Sequence, residues 1–268
     1  MMRKYMCMLL LVMMTKSIYA QELYVFTEPA SNMPARSIGV RLTHEGTTGS
    51  QWSSRTIPEV MIGVNRKLMF HAQGFFSDMD GRYRVEGASL YGKYRFYSVD
   101  GTRKHSRAAA FLRISQSRRT FPSSDINLEG DNSGTQGGLI FTQLLHKLAL
   151  SANISYTRAF GQNRYNGQMN SADDMIGYSL SSGYLVLPVV YKNYSQPNFN
   201  VYFEVLGKTD PSDGKAYLDF APAIQTVINS RTRVDLGYRF QIAGNMCDRY
   251  LKNMYLARVE FNFFNVLK

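Results

Sequence analysis

The sequence predicts an all-β fold, an antiparallel transmembrane β-barrel of twelve strands. Three observations point there: a two-residue alternation that recurs along the chain, an aromatic-rich composition without a long apolar run after the N-terminus, and an N-terminal export leader. The alternation is plainest near the C-terminus. Tyr255, Ala257, Val259, Phe261 and Phe263 alternate there with Leu256, Arg258, Glu260 and Asn262. Just before it, Val234, Leu236, Tyr238, Phe240 and Ile242 oppose Arg233, Asp235, Arg239 and Gln241. A period of two with one oily and one charged face describes a strand standing between hydrocarbon and water.

Residues 1–20 read as a secretory signal peptide. Arg3 and Lys4 supply the positive region, Tyr5 to Met14 the apolar core, and Ser17-Ile18-Tyr19-Ala20 a small-residue end, so cleavage is expected before Gln21. The ten apolar residues would cross only about half a bilayer as a helix, unlike an anchor. Cys7 sits inside that core, which leaves Cys247 as the one cysteine of the processed chain and rules out an intrachain disulfide. Cys247 has no neighbouring His or acid to activate it. Without Arg3, Lys4 and Lys16, 28 basic residues face 20 acidic ones, a balance of +8. That charge suits anionic headgroups or acidic solutes, whereas export and scattered arginines argue against nucleic acid.

Residues 21–36 read as an N-terminal periplasmic segment, with Pro29 to Pro34 as an ordered turn or the edge of a plug. Glu28, Ser31 and Asn32 offer it polar contacts. From residue 37 to 268 the barrel domain begins, with strands expected at 37–45, 57–64, 68–77, 84–97, 105–116 and 135–144, then 148–159, 174–187, 198–208, 215–226, 232–243 and 252–265. Most have the roughly 9 to 11 residues that a tilted membrane strand needs. The first puts Ile38, Val40 and Leu42 on one face. The fourth sets Ala88, Leu90, Tyr94 and Phe96 against Ser89, Tyr91, Lys93 and Arg95, and the fifth sets Ala108, Ala110, Leu112 and Ile114 against Arg107, Phe111 and Arg113. In the seventh, Leu148, Leu150, Ala152, Ile154 and Tyr156 oppose Ala149, Ser151, Asn153, Ser155 and Thr157. By the same reading Ile38, Val40, Leu42, Leu150, Ile154, Leu236, Phe240, Val259 and Phe261 face lipid.

Connection lengths give the orientation. If the first strand runs outward, the longest connections, 117–134 and 160–173, fall outside, while short turns such as 65–67 and 145–147 fall on the periplasmic side. A secreted β-sandwich would also alternate. It would solvate its outer faces, however, whereas Tyr178 and Tyr184, or Tyr255 and Phe263, bracket apolar rows as headgroup-level aromatics do.

The chain resembles transporter-like outer-membrane barrels of Bacteroidota-type bacteria. The resemblance rests on Tyr24-Val25-Phe26-Thr27-Glu28-Pro29-Ala30-Ser31-Asn32-Met33-Pro34, on Gln143-Leu144-Leu145-His146-Lys147-Leu148, and on the terminal strand. It covers essentially the whole processed chain and implies a bacterial outer-membrane location, but no particular chemistry. Such barrels commonly look as if they end on an aromatic residue; here the end is Phe263-Phe264-Asn265-Val266-Leu267-Lys268, with Phe264 the nearest equivalent.

Strand parity turns Arg41, Glu45, His71, Lys93, Arg95, Arg107, Arg113, Glu204, Asp219, Asp235, Arg239, Arg258 and Glu260 toward the lumen. Charges of both signs either cross-link neighbouring strands or line a water-filled path. Seven bases against five acids predict a weak preference for anions. The leading functional expectation is passive passage or binding of a small polar or anionic solute. The alternative is a sealed structural or surface-interaction barrel presenting its long loops, and the third is an outer-membrane lipid hydrolase. No enzyme activity is expected: His105 and Ser106 are adjacent and so point to opposite faces, and His44, His71 and His146 have no evident nucleophile. Neither a metal nor a cofactor is expected, since the four His lack ligand spacing. Asp125, Glu129 and Asp131 stand in a long loop that reads as solvated, with cation binding as the lesser alternative. Expected partners are outer-membrane lipid, the barrel-insertion machinery and that small solute, for a monomer.

Overall fold

The structure, a computed structural model, describes residues 24–48, 53–79, 81–102, 104–119, 124–160, 172–190, 196–246, 249 and 252–267. The leader, its cleavage point, Cys247 and most of the 160–173 connection lie outside the described residues. Twelve antiparallel strands close into one barrel: β1 (Ser37–Thr47), β2 (Ser53–Gly63), β3 (Leu68–Ser77), β4 (Arg84–Gly101), β5 (Lys104–Ser117), β6 (Gly134–Leu145), β7 (Leu148–Ala159), β8 (Asp174–Leu187), β9 (Asn198–Thr209), β10 (Ala216–Ile228), β11 (Thr232–Gly244) and β12 (Asn253–Phe263). Each strand pairs with its chain neighbours, and β12 returns to β1 through Ile38↔Phe263 to Thr47↔Met254. Closure leaves no unpaired edge, which hydrocarbon could not hydrate.

Two strands outrun their sequence-based ends the most. β2 starts at Ser53 rather than 57, and β4 continues to Gly101 rather than 97. The extensions are polar, but backbone pairing, such as Thr47↔Ser53 and Gly101↔Lys104, needs no apolar row. In β4 an extra residue, Phe96, stands at a register shift between Arg95 and Tyr97, a bulge that ends the strict alternation near the short-turn end. That end is closed by tight turns. Asn229 and Ser230 have φ of 52° and 55°, and Arg231 N donates to Ile228 O, as in the hairpin turn whose two central residues are left-handed.

The outer face carries the oil. Val40, Leu90, Leu112, Leu139, Leu180, Ile224 and Leu236 expose between 43% (Val40) and 65% (Leu180) of their surface. Such a belt around a closed barrel has to meet lipid, and the protein is a bacterial outer-membrane barrel. The residues expected to face lipid lie on this side, with Ile38, Phe240 and Val259 half-buried among neighbours. The membrane therefore inverts the usual distribution: Arg55, Lys93, Glu204, Asp219 and Arg233 are among the most buried side chains.

Among the described residues, two longer stretches of chain enter the barrel. Residues 24–33 precede β1 and cross the lumen in the half nearer the short turns. Tyr24 and Val25 pack with Leu144, Ala149, Tyr202, Ala223 and Leu256, Ala30 packs with Ala109 and Ile140, and Met33 with Met61 and Met69. At the opposite mouth, Ile126 and Leu128 of the β5–β6 connection are buried with Ala172, Met175, Tyr217 and Met246. That connection is folded inward rather than solvated.

Candidate functional site

Between these two stretches lies a cavity of about 220 Å³. Val25 to Glu28 bound it on one side and Asp125 to Glu129 on the other, with inward residues of the wall around it. Its charged lining is balanced. Glu28, Glu45, Glu59, Asp125 and Glu129 face Arg41, Arg113, Lys208, Arg239 and Arg258. Neutral polar groups fill the intervals, among them Gln73, Gln136, Asn153, Ser155, Thr157 and Ser179.

The floor is held by luminal side chains that grip the backbone of residues 24–31. Glu204 accepts from Val25 N and Phe26 N, both at 2.9 Å, and from Thr27 Oγ1 at 2.6 Å. Arg258 donates to Val25 O at 2.7 Å, and Arg233 donates to Tyr24 O. Across the lumen, Lys93 Nζ donates to Pro29 O and Ser31 O at 2.7 and 2.9 Å, Arg107 donates to Ser31 Oγ, and Thr142 Oγ1 accepts from Ala30 N. Backbone groups inside a barrel need partners as much as those in any core, and the wall supplies them. Burial raises the affinity of the Glu28 carboxyl for its proton, but Lys93 and Arg41 outweigh it and hold the group well below the ordinary carboxylate range.

The roof is held by its own acids. Asp131 takes Arg55 Nη2 at 2.5 Å and also pairs with Arg119, Glu129 takes Arg113 at 2.6 Å, and Asp125 takes Lys208 at 2.9 Å. Asp125 and Asp131 are therefore mostly buried ion-pair partners of the wall, whereas Glu129 pairs with Arg113 and keeps 41% of its side chain exposed. Arg55 itself is fully buried and binds Glu86 at 3.0 Å and Glu45 at 3.4 Å as well. Gly130 lets the backbone pass over this cluster: its φ is +109°, and a Cβ there would stand 2.7 Å from Arg55 Nε.

Around the wall the sequence-selected residues fall into separate groups. Arg41 binds Glu260 at 2.9 Å and both Glu59 and Glu28 at 3.2 Å; Arg233 continues the network to Asp235 at 2.8 Å and Glu260 at 3.5 Å, and Arg258 approaches Asp235 at 3.7 Å. His71 Nδ1 meets Glu59 at 2.5 Å. Asp219 pairs with Arg239 at 2.7 Å and Arg249 at 2.6 Å, with the Arg249 guanidinium 3.4 Å over the Tyr217 ring. Lys93, Arg107 and Glu204 serve the floor. Arg95 stands apart, donating to Arg66 O in the β2–β3 turn at 2.6 Å, so it belongs to the rim and not to the cavity. Arg55, Glu59, Glu86, Arg119, Lys208, Arg233 and Arg249 complete the networks although the sequence reading left them out. At the short-turn end of β4 and β5, His105 holds Asp100 at 2.8 Å, which Arg107 also reaches at 3.1 Å, while Ser106 donates to Gln143, so His105 and Ser106 form no dyad. Among the described residues no group of three or more His, Cys, Asp or Glu is placed to hold a metal.

No family model matches the chain, and no curated protein does. Solved structures do match. An outer-membrane channel from Pseudomonas putida F1 is 14% identical over 90% of this chain and 100% of that one, with a TM-score of 0.56. The NanC porin is also 14% identical, over 84% and 98% of the two chains, with a TM-score of 0.49, and outer membrane phospholipase A from Escherichia coli is 8% identical over 91% and 93%, at 0.45. At these identities the first likeness establishes the shared barrel fold.

Proposed function

We infer that this barrel admits a small polar solute to its luminal cavity and passes or holds it there, as a monomer and without covalent chemistry. The observation that carries the reading is the polar cavity itself. A barrel built only as a membrane staple gains nothing from about 220 Å³ of space walled by charged and hydrogen-bonding side chains. Entry from the periplasmic side requires residues 24–33, which the wall holds across the lumen there, to shift. The likeness to an outer-membrane channel agrees with passage. Planar-bilayer recording of the processed chain is the test: discrete, reproducible conductance levels support it, and a correctly folded but electrically silent barrel that also fails to swell solute-loaded liposomes rejects passage.

A second reading has an observation of its own. The chain that crosses the lumen is fixed by hydrogen bonds from several strands, which suits a closed barrel whose outer loops meet a partner. Silent bilayers together with binding of a surface partner through the 117–134 connection would favour it.

A further inference from the structure

The two ends of the barrel carry their charges differently. At the short-turn end Arg36 stands ahead of β1, Arg66 and Lys67 in the β2–β3 turn, Lys104 at the start of β5 and Arg231 in the β10–β11 turn, and all are exposed. The acid of this rim among the described residues is Asp100, which His105 and Arg107 already hold at 2.8 and 3.1 Å. These exposed side chains therefore have no acid to pair with. At the other mouth the exposed bases stand among acids, Lys215 on Asp213 at 2.7 Å and Arg158 near Asp174 at 3.7 Å.

Beside each of these rim bases the fold leaves an apolar side chain bare. Val64 leads into the Arg66–Lys67 turn, Val99 lies two residues before Gly101, the partner of Lys104, and Ile228 accepts from Arg231 N at 3.1 Å through its carbonyl. Val266 donates its N–H to Arg36 O at 3.0 Å. On the remaining side of the rim Val189 and Val190 are each 71% exposed, and Lys147 fixes that backbone by donating to Pro188 O and Val189 O at 3.2 and 3.0 Å. A lip of bare Val and Ile with unpaired bases at its edge matches the step from acyl chain to phosphate, where apolar groups are buried and charges stay wet.

The arrangement also separates a lipid surface from a pocket for a free anion. In barrel order the bases follow the arc from β10 through β12 and β1 to β5, about one basic position per hairpin. Hairpins follow one another on the order of 10 Å apart, at about 4.8 Å per strand. A single soluble anion needs its donors gathered within hydrogen-bond reach of shared oxygens, and it has no use for an apolar lip. A row of separate headgroups accepts both features.

We propose that the short-turn rim is a binding surface for anionic phospholipid, with Arg36, Arg66, Lys67, Lys104 and Arg231 on the lipid phosphates and the Val and Ile lip in the acyl chains beside them. This surface is separate from the luminal cavity and acts whether or not the barrel passes a solute.

The test uses the processed chain refolded in mixed micelles with equal amounts of phosphatidylglycerol and phosphatidylcholine, and mass spectrometry of the lipid that stays on the barrel. At low salt phosphatidylglycerol is retained at least about fivefold over phosphatidylcholine. The combined variant Arg36→Gln, Arg66→Gln, Lys67→Gln, Lys104→Gln and Arg231→Gln lowers that ratio below about twofold. An equal loss of charge at the other mouth, in Arg82→Gln, Arg84→Gln, Arg118→Gln, Arg158→Gln and Lys215→Gln combined, leaves it unchanged. Heat-modifiable migration verifies the folding of both variants. Equal retention of the two lipids by the parent, a preference that survives in the first variant, or the same loss in both variants overturns the assignment. So does displacement of phosphatidylglycerol by inorganic phosphate beyond that by chloride at equal ionic strength, which would make the rim a site for free anions. Conductance plays no part in the readout, so failure here leaves the cavity reading untouched.

Discussion

The two stretches of chain inside this barrel are fixed by opposite chemistry. At the short-turn end, residues 24–31 contribute mostly backbone N–H and C=O groups, and the wall supplies the side chains: Lys93, Arg107, Thr142, Glu204, Arg233 and Arg258. At the opposite mouth the β5–β6 connection supplies side chains of its own, with Asp125, Glu129 and Asp131 on Lys208, Arg113 and Arg55. A backbone-held segment depends on several wall residues at once. An acid-held loop depends on its particular carboxylates. If the luminal path opens, the backbone-held segment is the part expected to leave and the acid-held loop the part expected to stay.

Deleting residues 24–33 is the strongest way to break that comparison. It removes the chain from the lumen while leaving β1 and its pairing with β12 intact. Bilayer conductance is expected to rise at least tenfold over that of the processed chain. An unchanged conductance would mean that the inner segment does not limit the path, and that the folded-in outer connection does.

Arg55→Met attacks the other side. Arg55 joins Glu45 on β1, Glu86 on β4 and Asp131 in the loop, so its loss strands buried carboxylates in the wall as well as at the mouth. The expected cost is about 3–5 kcal/mol, read from denaturant unfolding of the barrel in lipid or detergent. Lys93→Met, although equally buried, is expected to free residues 24–33 without a comparable loss of barrel stability. Its two carbonyl partners sit on residues 24–33, which take no part in the strand pairing of the barrel. Faster amide exchange confined to that segment is the signature; global destabilisation matching Arg55→Met would erase the distinction between the two regions.

The fold was legible because lipid enforces the pattern: every second residue of a spanning strand has to be apolar, so Val40, Leu42, Leu150, Ile154 and Leu236 stand out in the bare sequence. The lumen imposes no such rule. Arg55 was hidden because the polar stretch before 57 shows no apolar row, although its backbone pairs as far as Ser53. Glu59 shares the buried face of β2 with the apolar Ile57 and Met61, so that face did not read as a polar one. Arg233 stood on the recognised polar face and was simply not carried into the luminal set. The inward folds had signals that were available: Tyr24-Val25-Phe26 and Ile126-Asn127-Leu128 place large apolar residues in stretches assigned to water. What could not be read was pairing. Parity gives a face, while the distance from Glu129 to Arg113 or from Glu204 to Val25 N depends on where non-strand chain turns inward.

A smaller effect is expected from Thr142→Val, which keeps shape and removes the acceptor for Ala30 N. One buried hydrogen bond out of many should cost docking about 1 kcal/mol, with conductance rising less than in the Lys93 variant. A gain equal to that of deleting the segment would show that the contact at Ala30 alone is the latch.

The smallest expected effect is that of acid, and its sign follows from Glu28. Lys93 and Arg41 hold its carboxyl below the ordinary value of 4.5 when the segment is docked. A depressed carboxylate contributes stability that is complete above its free value and is lost only as pH falls through the docked one. Lowering pH from 7 to about 4 therefore leaves this contribution nearly whole, because the free group would begin to protonate there while the docked one stays ionised. Conductance of the processed chain should stay flat across that interval once the change in electrolyte is subtracted, and Glu28→Gln should raise it at every pH. An opening transition near pH 5 that survives in Glu28→Gln would place the acid-sensitive anchor elsewhere, and the carboxylates at the outer mouth, Asp125, Glu129 and Asp131, would be the next to neutralise one at a time. In that event the loop, not the N-terminal segment, would be the part that leaves.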